Sequence, residues 1–183
     1  SLLHAALDTA EIPARVYHPT HINRERWLFE DAVGLVERGC TVDLTAFPED
    51  GKTLMASEAI SRWRAEGRPM DRLTCSSDGA GCLPTFDEDG RLVEMDVGKP
   101  ISLLHTVQQL LADGEALEAV LPVFTSNVAR VLSLNGKGVL AVGSDADLAV
   151  LTPSGELLHL MAGGDFMVRD GRPSKVGLFE MTS

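Results

Sequence analysis

The sequence predicts an α/β protein on three observations. A strand-then-helix pattern recurs from Ala14, with strand starts at Ala14, Thr41 and Arg72 that lie 27 and 31 residues apart. A helical stretch follows, and from Gly136 the chain changes to short β-rich segments punctuated by Gly and Asp. Intervals of that size are those of βα repeats with short loops, which require parallel strands joined by right-handed crossovers.

Ser1 to Ala10 read as the last turns of a helix already under way, in a chain that opens without an initiator methionine. Ala14 to Thr20 is a short extended run. Arg24 to Gly39 carries Trp27, Leu28, Ala32, Leu35 and Val36 at helical spacing and stops at a glycine. Thr41 to Phe47 is β-branched and predicts a strand, Ala56 to Gly67 a second helix ending in Gly, and Arg72 to Ser76 a third strand. The long Gly- and acid-rich stretch Asp78 to Pro100 holds a hairpin signal at Asp87-Glu88-Asp89-Gly90. Helices are expected over Ile101 to Ala112, Glu115 to Leu121, where Pro122 stops it, and Ser126 to Leu134, with Thr125 as a candidate N-cap. Strands over Ala146 to Leu151, Leu157 to Ala162 and Asp165 to Arg169, separated by Gly- and Asp-containing turns, predict a small antiparallel unit.

Sixteen Lys and Arg against 27 Asp and Glu give a net charge of −11, which disfavours binding to nucleic acid or to acidic membrane surfaces. With 44% hydrophobic and 23% charged residues the chain has the composition of a soluble globular protein. No apolar run approaches the roughly 18–20 residues of a membrane span, and the start carries no basic signal region, so a cytoplasmic protein is expected. Cys40, Cys75 and Cys82 fit neither a disulfide framework nor a CxxC metal site, and reduced thiols are expected.

Three parallel strands do not close a sheet. They form either a small open α/β domain or the last third of a (β/α)8 barrel, and in both cases function belongs at the C-terminal strand ends. The first strand runs into His18-Pro19-Thr20-His21-Ile22-Asn23-Arg24 and the third into Ser76-Ser77-Asp78-Gly79. An imidazole and a carboxylate at neighbouring strand ends are what a hydrolytic zinc site uses. The same residues also suit a cap and a turn. His18 reads as structural or solvent-facing, because an extended segment need not point it the same way as His21. Arg24 places a cation at a helix start, unfavourable by about 0.3–1 kcal/mol unless it holds an anion such as a substrate carboxylate. Asp87, Glu88 and Asp89 read as a solvated turn, and His105 and His159 as ordinary core or surface histidines.

Three segments together resemble one family: Pro19-Thr20-His21-Ile22-Asn23-Arg24, Leu73-Thr74-Cys75-Ser76-Ser77-Asp78-Gly79, and Gly143-Ser144-Asp145-Ala146-Asp147-Leu148-Ala149-Val150, with Thr125-Ser126-Asn127 between the last two. They are similar to the isoaspartyl (beta-aspartyl) dipeptidases of the amidohydrolase superfamily, over about Pro13 to Glu180. The resemblance implies the C-terminal part of a (β/α)8 TIM barrel, its last three βα units, over residues 1–135, followed by a small β-sandwich segment over 136–183. It further implies a metal-dependent dipeptidase that hydrolyses β-aspartyl dipeptides with a hydroxide bridging two zinc ions. By the same resemblance His21 is a ligand of one zinc, Asp78 is a ligand of the other and the catalytic proton shuttle, and Arg24 binds the substrate's α-carboxylate. Cys82 falls where the family places a substrate-touching serine. A small-molecule dipeptide partner and a homo-oligomer are expected, with no nucleic acid and no membrane.

The family pattern also needs an HxH motif, a bridging carboxylated lysine and a further histidine, for which these 183 residues offer no counterpart. The expectation is therefore a C-terminal portion of a longer enzyme, inactive alone, with apolar surface exposed near Ala14 to Thr20 and on an incomplete sandwich. The alternatives are another amidohydrolase acting on cyclic amides, and a non-catalytic barrel remnant serving binding or assembly.

Overall fold

A computed structural model describes residues 2–9, 11–48, 53–175 and 177. Ser1 and Ala10, the ends of the first expected helix, lie outside the described residues, as does Glu180. The chain is a mixed α/β protein. Its elements are α1 (Leu2–Thr9), α2 (Arg26–Glu37), β1 (Val42–Thr45), α3 (Ala56–Ala65), β2 (Leu73–Ser76), β3 (Cys82–Phe86), β4 (Leu92–Val97), α4 (Ser102–Ala112), α5 (Leu117–Val120), α6 (Ser126–Val131), β5 (Leu148–Leu151), β6 (Leu157–Ala162), β7 (Asp165–Arg169) and β8 (Arg172–Pro173).

β1 and β2 pair in parallel, with Asp43 opposite Thr74 and Thr45 opposite Ser76. Both strands are buried on both faces, as a parallel pair with a helical crossover requires. The expected first strand differs. Ala14–Val16 form a 3-10 turn, and only the extended residues beyond it meet β1, where Asp43 N–H donates to Pro19 C=O (2.8 Å) and Ile22 N–H to Asp43 C=O (3.2 Å). Pro19 has no N–H to give a ladder, so the pairing stays too short to make a strand.

α2 also begins later than its apolar pattern suggests, at Arg26, and it buries Phe29, Ala32, Leu35 and Val36. Trp27 points outward and is 62% exposed, whereas Phe29 is fully buried. Phe29 meets Trp63 of α3 edge-on at 5.7 Å between centroids, and the Arg68 guanidinium lies about 5 Å over both rings. Glu30 and Glu66 accept hydrogen bonds from Arg62 on the rim of this cluster.

After β2 the chain forms the expected hairpin β3–β4, whose turn is tied by Asp87 Oδ1 accepting from the N–H groups of Asp89 and Arg91. Register places Cys82 opposite Val97 and Pro84 opposite Met95, on one exposed face. α4 then packs its Val107 and Leu110 with Val120 and Val123 against the core. Pro122 continues the chain into a 3-10 turn after α5 instead of ending the helical path. Thr125 precedes α6 but caps nothing; its hydroxyl donates back to Leu121 C=O at 2.9 Å. The side-chain amide of the buried Asn127 donates to Met70 C=O and Leu73 C=O, fastening α6 beneath β2.

The tail is a four-stranded antiparallel sheet in the order β5-β6-β7-β8, and β6 and β7 carry the expected bounds. Lys137 bridges Asp145 and Asp147 beside it, and Gln108 of α4 donates to Gly155 C=O to dock it on the helices. Among the described residues no helix is long and apolar enough to cross a membrane. The three cysteines are free, with Cys40 and Cys75 buried and Cys82 exposed. Burial pushes the Cys40 and Cys75 thiols up, which keeps them protonated and inert.

Candidate active site

His21 and Asp78 share an unusual backbone. Both are non-glycine residues in the left-handed region, at φ 60° and 50°. Such residues cost of order 1–3 kcal/mol where the surroundings hold them, and they concentrate at functional positions. His21 is held through its ring: Nδ1 lies 2.8 Å from Thr45 Oγ1 at the end of β1, which leaves Nε2 without a partner among the described residues. Asp78 is held through its backbone. Its carbonyl accepts from Gly81 N–H at 2.8 Å, and a Cβ on Gly98 would stand 2.1 Å from that carbonyl oxygen. A Cβ on Gly81 would stand 2.6 Å from Asp78 Oδ1, so the loop needs glycine at both places to seat the carboxylate. The Asp78 carboxylate makes no hydrogen bond or ion pair among the described residues.

Arg24 lies two residues ahead of α2 instead of opening it, so the macrodipole argument for its charge does not apply. Its guanidinium lies 5.1 Å over the Phe47 ring, and the same ring stacks on His21 at 5.6 Å. Phe47 thus brings Arg24 and His21 together. The ring also forms one wall of a cavity of about 350 Å³, shared with Ser77, Leu83, Lys99, Ser102 and His105. Cys82 does not reach this cavity. It is exposed at the start of β3, and its neighbour Leu83 lines the cavity instead. His159 sits on the tail sheet, where Nδ1 accepts from Asp170 N–H.

Several residues support the site in ways their place in the sequence does not assign. Asn23 is fully buried and knits the loop to β1: its amide donates to Thr45 C=O (2.9 Å) and Leu54 C=O (2.7 Å), and its oxygen accepts from Thr45 N–H (2.8 Å). Asn23→Ala removes a partner from each of those groups and is expected to cost about 2–4 kcal/mol, read as a fall in the urea midpoint at unchanged slope. Asp43 is 3% exposed and accepts short hydrogen bonds from Thr74 Oγ1 and Ser76 Oγ, both 2.6 Å. Burial pushes its carboxyl pKa up from the ordinary value, opposed by those two hydroxyls and by the nearby His18 and His21. His18 belongs to this network, with Nε2 2.9 Å from Thr74 Oγ1. The signal was present in the sequence: a carboxylate inside a β-branched strand buried on both faces must have partners.

No family profile matches the chain. Among solved structures, it superposes at TM-score 0.85 and 37% identity on a beta-aspartyl dipeptidase from the thermophilic, keratin-degrading Fervidobacterium islandicum AW-1, in complex with a beta-Asp-Leu dipeptide, over 96% of this chain and 45% of that one. The chain resembles the C-terminal portion of a beta-aspartyl dipeptidase. A second structure of beta-aspartyl dipeptidase from the same organism gives TM-score 0.79 and 32% identity, over 96% of this chain and 44% of that one. The dipeptidase-like chain thus spans a little under half the length of these relatives. An N-acetylglucosamine-6-phosphate deacetylase from Thermotoga maritima, at TM-score 0.52 and 17% identity over 77% of this chain and 50% of that one, shares the fold alone.

The donors of the dipeptidase-like chain suit zinc in kind. An imidazole whose Nδ1 is taken by a hydroxyl presents Nε2 outward, and a seated, unpaired carboxylate is the usual oxygen donor. Zinc takes four ligands, and the described residues hold no cluster of three or more His, Cys, Asp and Glu arranged to bind a metal. His21 and Asp78 are two donors, fewer than a zinc site requires.

Proposed function

We propose that the chain supplies the last three βα units of a (β/α)8 barrel, within residues 1–135, and a small β-sandwich segment over 136–183, of a zinc-dependent, cytoplasmic, homo-oligomeric hydrolase of β-aspartyl dipeptides. The observation that carries this reading is the matched setting of His21 and Asp78. They stand on the two segments that flank β1, both in left-handed backbone and both with metal-binding atoms unpartnered among the described residues, in a chain 37% identical to a beta-aspartyl dipeptidase.

In this reading His21 Nε2 and the Asp78 carboxylate would each hold one of two zinc ions, and the further donors would come from outside these 183 residues. Held there, zinc would supply Lewis-acid polarisation of the scissile carbonyl and hydroxide at neutral pH. Asp78 keeps one carboxylate oxygen free to accept a proton from the attacking water and to deliver it to the leaving amine. Arg24, steadied on the Phe47 face, pairs with the substrate's α-carboxylate, so an acidic protein presents a local positive field to an anionic substrate. Cys82, exposed on the hairpin, meets the substrate only if the β3–β4 strands lean over the site.

The test is elemental analysis of the complete natural polypeptide with hydrolysis assays on β-Asp-Leu, α-Asp-Leu and a cyclic imide. Bound zinc with turnover of β-Asp-Leu alone is the expected result. Turnover of the imide in place of the dipeptide overturns the substrate assignment, and absence of zinc with full turnover overturns the metal assignment.

A further inference from the structure

We infer that Asp43 is a positioning residue that sets the placement of His21 relative to Asp78, an inference that rests on the zinc reading above. Its main chain grips the His21 segment on both sides: Asp43 N–H donates to Pro19 C=O at 2.8 Å and Asp43 C=O accepts from Ile22 N–H at 3.2 Å, which brackets Thr20 and His21. Its carboxylate grips β2. Oδ2 accepts from Ser76 Oγ, two residues before Asp78, and Oδ1 accepts from Thr74 Oγ1.

The directions of these bonds follow from the donors available. The Thr74 hydroxyl proton points to Asp43 Oδ1 at 2.6 Å, so Thr74 Oγ1 can only accept from His18, whose Nε2 therefore carries the proton. The chain His18→Thr74→Asp43←Ser76 crosses three neighbouring segments and ends on a single carboxylate. O–H···O distances of 2.6 Å belong to the charge-assisted class. One residue thus fixes, through backbone on one side and side chain on the other, the two segments that carry the proposed ligands.

A buried carboxylate is a poor choice for stability alone, because a neutral isostere avoids its desolvation. An amide keeps the shape of Asp43 but has one acceptor in place of two. It can satisfy the Thr74 arm or the Ser76 arm and must turn a donor toward the other. Ligand geometry is thereby loosened while packing is preserved, and residues supporting metal ligands from behind are typically worth about 10–100-fold in metal affinity or activity.

The experiment compares wild type with D43N in the complete natural polypeptide by zinc affinity from competition with a chelating dye, by kcat and KM on β-Asp-Leu, and by thermal midpoint. The expected result for D43N is zinc affinity weaker by about 10–100-fold and kcat lower by a similar factor, with KM within twofold and the midpoint equal to or above wild type. Should D43N fail to fold, S76A keeps the carboxylate and severs only the arm to β2, and zinc affinity reduced about tenfold at an unchanged midpoint supports the inference. Zinc affinity and kcat within twofold of wild type in the folded variant overturn it, and so does a midpoint that falls in step with affinity. A wild-type protein that binds no zinc overturns the functional reading, and this inference with it. Zinc and turnover in wild type with no effect of the substitution overturn this inference alone.

Discussion

Replacing Asp78 by Asn in the complete polypeptide is expected to lower turnover of a β-aspartyl dipeptide by about 10³-fold or more while leaving the protein folded. Two losses combine: a carboxamide is a much weaker zinc donor than a carboxylate, and it cannot accept the proton that the leaving amine needs, a step worth about 10²–10⁴-fold by itself. Structure is spared because the carboxylate has no hydrogen-bond or ion-pair partner among the described residues, and because Asn fits the space left by Gly81 and tolerates a left-handed backbone. The unfolding free energy should stay within about 0.5 kcal/mol of wild type. Turnover within tenfold of wild type, measured with metal content held equal, would remove Asp78 from the chemistry.

Arg24→Met is expected to act on binding. A guanidinium meets a carboxylate through two parallel charge-assisted hydrogen bonds, and losing both costs about 2–4 kcal/mol, or roughly 30- to 1,000-fold in kcat/KM. The α-carboxylate does not change charge during hydrolysis, so the loss should appear mainly in KM. Met keeps an apolar stem against the Phe47 ring, so the contact that steadies this corner is only partly lost. Arg24→Lys should recover a minor part, since it restores charge without the planar fork. An unchanged KM in Arg24→Met would assign the carboxylate to another group.

Much of this architecture can be read in the residues. Periodicity places α3, α4, β6 and β7 nearly to the residue, because their apolar spacing and bounding glycines act locally. Where tertiary partners decide, it misleads. Trp27 looks like a core residue by spacing, yet Phe29 takes the buried place because its ring can meet Trp63 and Arg68. Ala14 to Thr20 looks like a strand, yet Pro19 limits it to an extended approach to β1. At the site, His21, Arg24 and Asp78 are visible as residue types at strand ends. Of their supports only Asp43 is signalled, as a carboxylate in a buried strand, and no partner can be named, since Asn23, Asp43 and Thr45 act through partners 22 to 33 residues away in sequence. Thr125-Ser126-Asn127 is quoted by the resemblance, and only the fold gives the reason: Asn127 ties α6 to β2.

The tail sheet and the β1–β2 pair differ in how far apart their strands stand along the chain. In the order β5-β6-β7-β8 every strand pairs with its immediate successor across a tight turn, whereas Val42 to Thr45 must find Leu73 to Ser76 across the whole of α3. Loop closure favours the near partner, so the C-terminal meander can zip up within the time of successive hairpins, long before the parallel pair meets. The meander is thus the part of the described fold best able to acquire its pairing without waiting for the rest.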